Sequence, residues 1–146
     1  MSLTQVFVSC RGRINREIYW LSSIGMLAVF AALVSVELAN GGVIGKPGLV
    51  LVLACYVPLF WGMIAVSVKR LHDRGKSARW LILFFLLPIF LDLIVAQTAE
   101  TAGMILLLIN LAISGWAFVE LGLLPGTRGA NDYGPDPLQP HSDTPA

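Results

Sequence analysis

The residues best equipped for chemistry fall in one short stretch, Arg70-Leu71-His72-Asp73-Arg74, with Gly75, Lys76 and Ser77 behind it. Arg70 and Arg74 carry planar guanidinium forks that suit a phosphate or a carboxylate. Asp73 can hold one of them, and His72 titrates near neutrality, so it could act as a proton-sensitive switch. Gly75 permits a positive φ at the turn. Against these readings, a single His beside an Asp is more commonly a hydrogen-bonded structural residue, and no second His or Cys lies nearby to complete a metal site. No nucleophile stands at a recognisable spacing, so neither a catalytic pair nor a cofactor is expected. Two further polar stretches accompany this loop. Arg11, Arg13 and Arg16 come before the first apolar run, and Gly126 to Pro137 closes the last one with turn formers that include Asn131, Asp132, Tyr133 and Asp136. The charges predict that Asp132 and Asp136 pair with Arg13, Arg70 or Arg74, with Tyr133 packed at the interface.

The elements that must position these residues are apolar. The hydrophobic fraction is 56% and the charged fraction only 13%, outside the usage of soluble domains. Spanning about 30 Å of hydrocarbon takes roughly 20 apolar helical residues. The runs 18–39, 49–68 and 103–124 meet that length, and 80–96 lies near its lower limit. Continuous rather than alternating runs point to helices. The expected architecture is all-α, a bundle of four transmembrane helices in a single domain over residues 1–137, with a disordered tail at 138–146. The first run is read as a retained span, being longer than the apolar core of a signal peptide.

Orientation follows from the basic residues. Of the ten, eight lie in Arg11 to Arg16 and Lys69 to Arg79. The connection between the first two runs has only Lys46, and Gln97 to Ala102 has none. The positive-inside rule then places both termini in the cytoplasm, with Tyr19, Trp20 and Trp80 at the cytoplasmic helix ends. Ser22, Gly25, Ala28, Ala32 and Ser35 recur on one face of the first helix and predict a close helix contact. Pro58 and Pro88 free the carbonyls of Ala54 and Phe84 and predict kinks. Glu37, Asp92 and Asn110 fall toward the outer ends and could form a polar pocket, or simply reach the headgroups. Cys10 and Cys55 lie at different depths and read as packing residues.

Three motifs resemble a known family. Gly12-Arg13-Ile14-Asn15-Arg16 through Tyr19-Trp20, then Arg70-Leu71-His72-Asp73 with Gly75, Ser77 and Trp80, then Gly129, Asn131 and Tyr133-Gly134-Pro135-Asp136-Pro137 are similar in order and spacing to bacterial inner-membrane proteins of the domain of unknown function 805 family. Ala78 stands where that family usually has Gly, and Arg79 where a second aromatic is common. The resemblance implies a small four-helix inner-membrane protein of no established activity, and it supplies no catalytic residue.

Function is bounded as follows. The first expectation is a non-enzymatic module that binds anionic membrane lipid or a partner protein through its cytoplasmic face. Its candidate residues are Arg13, Arg16, Arg70, His72, Asp73, Arg74, Asn131, Tyr133 and Asp136. The alternative is a small oligomeric transporter or channel subunit using Pro58, Pro88, Glu37, Asp92 and Asn110. An enzyme acting on lipid headgroups through His72 and Asp73 ranks third, and nucleic-acid binding is not expected from so small a basic patch beside a membrane.

Overall fold

A computed structural model describes residues 2–39, 46–98 and 100–139, and among these every regular element is helical. The elements are α1 (Leu3–Phe7), α2 (Arg16–Ala39), α3 (Lys46–Asp73), α4 (Leu87–Val95) and α5 (Glu100–Phe118). A π-helical turn, Ile82–Leu86, runs into α4, and another, Val119–Leu123, prolongs α5.

Local chemistry sets the boundaries. Asn15 Oδ1 accepts the amide of Ile18 at 2.9 Å, capping α2, and Glu17 sits in the first turn against the positive helix end. The third helix begins at Lys46, so Lys46, Pro47 and Gly48, which precede the apolar run 49–68, form its first residues. Proline is tolerated there because a first-turn amide has no helical partner. At its other end α3 continues five residues past the expected limit of 68. It closes in a Schellman motif: the amide of Gly75 donates to the carbonyl of His72 at 3.0 Å, and that of Lys76 to Leu71 at 2.8 Å. Gly75 takes φ +68°, as the sequence predicts.

The two prolines behave differently. The helix α3 is continuous through Pro58. Pro88 cannot donate to the carbonyl of Phe84, and the ladder widens just there into the π-turn, with the amide of Leu87 reaching Ile82. Three helical segments, Arg16–Val36, Ala54–Asp73 and Glu100–Leu123, are long and apolar enough to cross a membrane, and Ile82–Val95 is a shorter apolar helix.

Packing concentrates at one end. α2 pairs with α3 and α4 with α5, while the π-turn after α5 joins the pairs by lying against α2 and α3. Two buried clusters sit at this junction, one of Leu71, Phe84, Ala117 and Leu121, the other of Val6, Ile14 and Val66. Away from it, large apolar side chains such as Leu27, Phe60, Leu93 and Leu108 are exposed on α2, α3, α4 and α5. The expected small-residue contact face of α2 is not used: Ser22 is buried, but Gly25, Ala28, Ala32 and Ser35 are exposed. The close approach comes from the other helix, where Gly62 of α3 leaves room for Met26, whose Sδ would lie 3.2 Å from a Cβ placed there.

The short α1, which no apolar run announces, docks on α3. Ser2 and Gln5 form a capping box at its start. Lys69, fully buried, donates from Nζ to the carbonyls of Gln5 (2.6 Å) and Val6, and Trp61 Nε1 donates to Val8 at 3.0 Å. An ammonium at a helix C-terminus meets the negative end of the helix dipole. The Glu37 side chain lies outside the described residues, as does the segment expected to be disordered beyond Gln139.

Candidate functional site

Asp73, the last residue of α3, is the centre of the junction. Its Oδ1 accepts Nε and Nη2 of Arg13, each at 3.1 Å, and its Oδ2 accepts Nη1 of Arg70. Its carbonyl accepts the amide of Thr127 at 2.8 Å and the Thr127 hydroxyl at 3.0 Å. Arg13 spends the rest of its fork on the tail: Nη1 donates to the carbonyls of Gly129 (2.7 Å) and Gly134 (3.2 Å), and Nη2 to Thr127 (2.6 Å). A guanidinium has five N–H groups, and all of those on Arg13 are engaged. Arg70 donates from Nε to Leu121 at 2.8 Å and from Nη2 to Leu124, two carbonyls left open where α5 ends. The side chains of the three are 97% or more buried. Two guanidinium groups against one carboxylate leave this clamp one positive charge in surplus.

A second arm lies beside it. Glu120 Oε1 accepts Arg74 Nε at 3.1 Å and Lys76 Nζ at 3.0 Å, and Arg74 Nη1 reaches the carbonyl of Pro125 at 2.5 Å. Lys76 also stands 4.3 Å from the centre of the Trp80 ring, a cation–π contact. The tail then folds over His72. Its ring stacks on Tyr133, with centroids 3.9 Å apart and planes 6° apart, and its Nδ1 lies 3.2 Å from the carbonyl of Gly12. Asn131 donates from Nδ2 to the carbonyl of His72 and to Thr127 Oγ1, both at 2.9 Å, while its Oδ1 accepts the amide of Tyr133 at 2.9 Å. Asp136 accepts the amides of Gly129 (2.9 Å) and Leu138 (3.0 Å), and those two bonds hold its carboxyl below the usual carboxylate range.

The predicted residues therefore converge, with their partners redistributed. Arg13 and Arg70 pair with Asp73 and Arg74 with Glu120, whereas Asp136 turns to backbone amides and Asp132 is exposed without a partner among the described residues. The tail acids were matched to the loop by sign alone; Asp73 and Glu120 occupy the buried positions next to the guanidiniums and take them first. Arg16 stands apart. It is exposed and, like Arg128, meets no acid or carbonyl among the described residues. Both line a crevice of about 490 Å³ between the start of α2 and the tail, which Asp73, Gly126 and Thr127 also line.

Gly126, Thr127, Arg128 and Glu120 belong to the site without being among the residues expected from the sequence. Glu120 carried a signal, an acid one turn from the end of an apolar helix with Arg74 and Lys76 otherwise uncompensated. Gly126 carried none beyond its turn propensity. Near the middle of the α4–α5 pair, Asn110 Nδ2 donates to Asp92 Oδ1 at 2.5 Å, so two of the expected outer polar residues do meet. The Oδ1 of Asn110 is buried without a partner among the described residues.

Comparison with known proteins agrees with the motifs. The family described as "Protein of unknown function (DUF805)" matches residues 7–135. "Uncharacterized protein YiiR" of Escherichia coli (strain K12) is 33% identical, with 93% of this chain and 90% of that protein covered. "Inner membrane protein YhaI" of the same strain is 26% identical, over 94% and 92% of the two chains. No solved structure matches. Apolar helices of spanning length and a relative named for the inner membrane together make this chain a membrane protein.

Proposed function

The chain belongs to the DUF805 family of proteins of unknown function, and from that premise we propose that it is a non-enzymatic, four-span inner-membrane module that docks phospholipid phosphate through its cytoplasmic face. Four spans follow if Ile82–Val95, extended by its flanking turns, crosses alongside the three longer helices. An even count then matches the meeting of the N-terminal segment, the α3–α4 turn and the tail at one basic end, which the positive-inside rule assigns to the cytoplasm.

The observation that carries the docking reading is the division of labour among the arginines. Arg13, Arg70 and Arg74 are consumed by internal partners and work as a clamp. Arg16 and Arg128 are free, exposed and set on one crevice. A guanidinium near a membrane surface attracts anionic headgroups by about 1 kcal/mol, and the surplus positive charge of the clamp adds to that field. Replacing both Arg16 and Arg128 by Ala is expected to weaken phospholipid retention about 30-fold, the equivalent of roughly 2 kcal/mol, with the fold intact. Native mass spectrometry of protein released in mild detergent from its own membrane measures this directly. Unchanged lipid occupancy in the double variant would contradict the proposal.

One observation favours the alternative of an oligomeric transporter or channel subunit: the Asp92–Asn110 pair in the outer half of α4–α5, with a buried acceptor left open. Ionisable groups in spans often mark solute or proton paths. Altered solute flux in vesicles bearing Asp92→Asn would move the assignment to that reading.

A further inference from the structure

The crevice offers more than two arginines. Glu17 lies on the same lip, exposed in the first turn of α2 and without a partner among the described residues. Asp136 lines it as well. Its oxygens each accept one backbone amide, and a carboxylate has about four acceptor sites, so both retain capacity facing solvent. The lip thus pairs two free cations with two acids.

We propose that the crevice selects a zwitterionic phospholipid headgroup, its phosphate on Arg16 and Arg128 and its primary ammonium on Glu17 and Asp136. The inference rests on the phosphate-docking reading above and specifies which headgroup that site prefers. A headgroup ending in hydroxyls would bring its phosphate to the two arginines with no cation of its own to meet Glu17 and Asp136. A primary ammonium offers three donors on a compact charge, enough to serve both acids at once. The expectation of an anionic lipid came from counting cations in the sequence, where nothing showed that Glu17 and Asp136 share a cavity with the free arginines.

The test uses the full-length protein in nanodiscs of equal parts phosphatidylethanolamine and phosphatidylglycerol, read by native mass spectrometry of the lipids that remain bound. Wild type should retain the ethanolamine lipid over the glycerol lipid by up to about fivefold, the range an exposed ion pair supplies. Glu17→Gln should erase most of that preference, and Glu17→Lys should turn it toward the glycerol lipid. Glu17 has no side-chain partner among the described residues and contributes only its charge at the start of α2, so both variants should stay folded with at most a small drop in unfolding midpoint. Wild type that is indifferent or prefers the glycerol lipid, or a Glu17→Gln ratio equal to wild type, overturns the inference. The Arg16→Ala/Arg128→Ala double variant separates the two levels. If it sheds both lipids while Glu17→Gln keeps the wild-type ratio, headgroup selection alone fails. If it sheds neither, the docking reading itself fails and the inference with it.

Discussion

Replacing Asp73 by Ala should lower the stability of the protein in mild detergent by about 3–5 kcal/mol, the usual consequence of removing one partner from a buried ion pair. The loss does not measure the strength of the pair in the native protein, because taking three charges out of water offsets much of their attraction. It measures what remains after the change: Arg13 and Arg70, both buried, would face each other with no carboxylate between them. Arg13 would keep its bonds to the carbonyls of Thr127, Gly129 and Gly134, and Arg70 those to Leu121 and Leu124. Repulsion between the two would therefore be transmitted to the end of α5 and the tail. Thermal unfolding followed by helical circular dichroism reads the effect, with earlier proteolysis of the tail as its local signature. An unfolding midpoint equal to wild type would mean that Asp73 is not the centre of the junction.

The second large effect is expected at a residue with no side chain. A Cβ on Gly126 would lie 2.1 Å from Asp73 Oδ2 and 2.6 Å from its Cγ. A flexible carboxylate on a surface would swing away from such a clash. This one is held by Arg13 on one oxygen and Arg70 on the other, so either the clamp opens or the chain around Gly126 shifts. A shift would break the bonds from Arg70 to Leu124 and from Arg13 to Thr127, which flank that position. Gly126→Ala should cost at least the roughly 1–3 kcal/mol of an overpacked interior. Because the clash and the clamp share one side chain, the two changes should not add: in an Asp73→Ala background, Gly126→Ala should have little further effect. Additive losses in that double-mutant cycle would place the strain somewhere other than Asp73.

How far the sequence could be read depends on which force decides each feature. Apolar length and loop charge act over a whole segment, and they located the long helices to within a few residues and the polar motifs at a common end. The extension of α3 to Asp73 was missed because Lys69 and Arg70 read as the start of a loop by polarity; the structure buries them completely, on carbonyls of α1 and of the π-turn after α5. Neither carbonyl set is visible in a hydropathy profile. Pro88 did announce a disturbance, and the π-turn is its form. The contact face of α2 was misjudged because small residues permit close approach without requiring it, and here Gly62 on the partner helix provides the room. The pairing of charges was legible only in outline. Opposite signs at one end of a bundle say that pairs form, while burial and reach decide which, and those gave Asp73 rather than Asp132 or Asp136 to Arg13.

Arg13 and Arg16 show that limit most sharply. They stand three residues apart in one motif, with the same side chain and the same nominal place before a membrane helix. One is buried with every donor engaged, and the other is exposed beside a crevice with none engaged among the described residues. The separation of a structural clamp from an exposed rim depends on that difference. The most direct test is the unfolding free energy of Arg13→Ala and Arg16→Ala, measured side by side in the same detergent. Arg13→Ala is expected to lose about 3–5 kcal/mol and Arg16→Ala to change by no more than about 0.5 kcal/mol. Equal losses, or a larger one for Arg16→Ala, would contradict that separation.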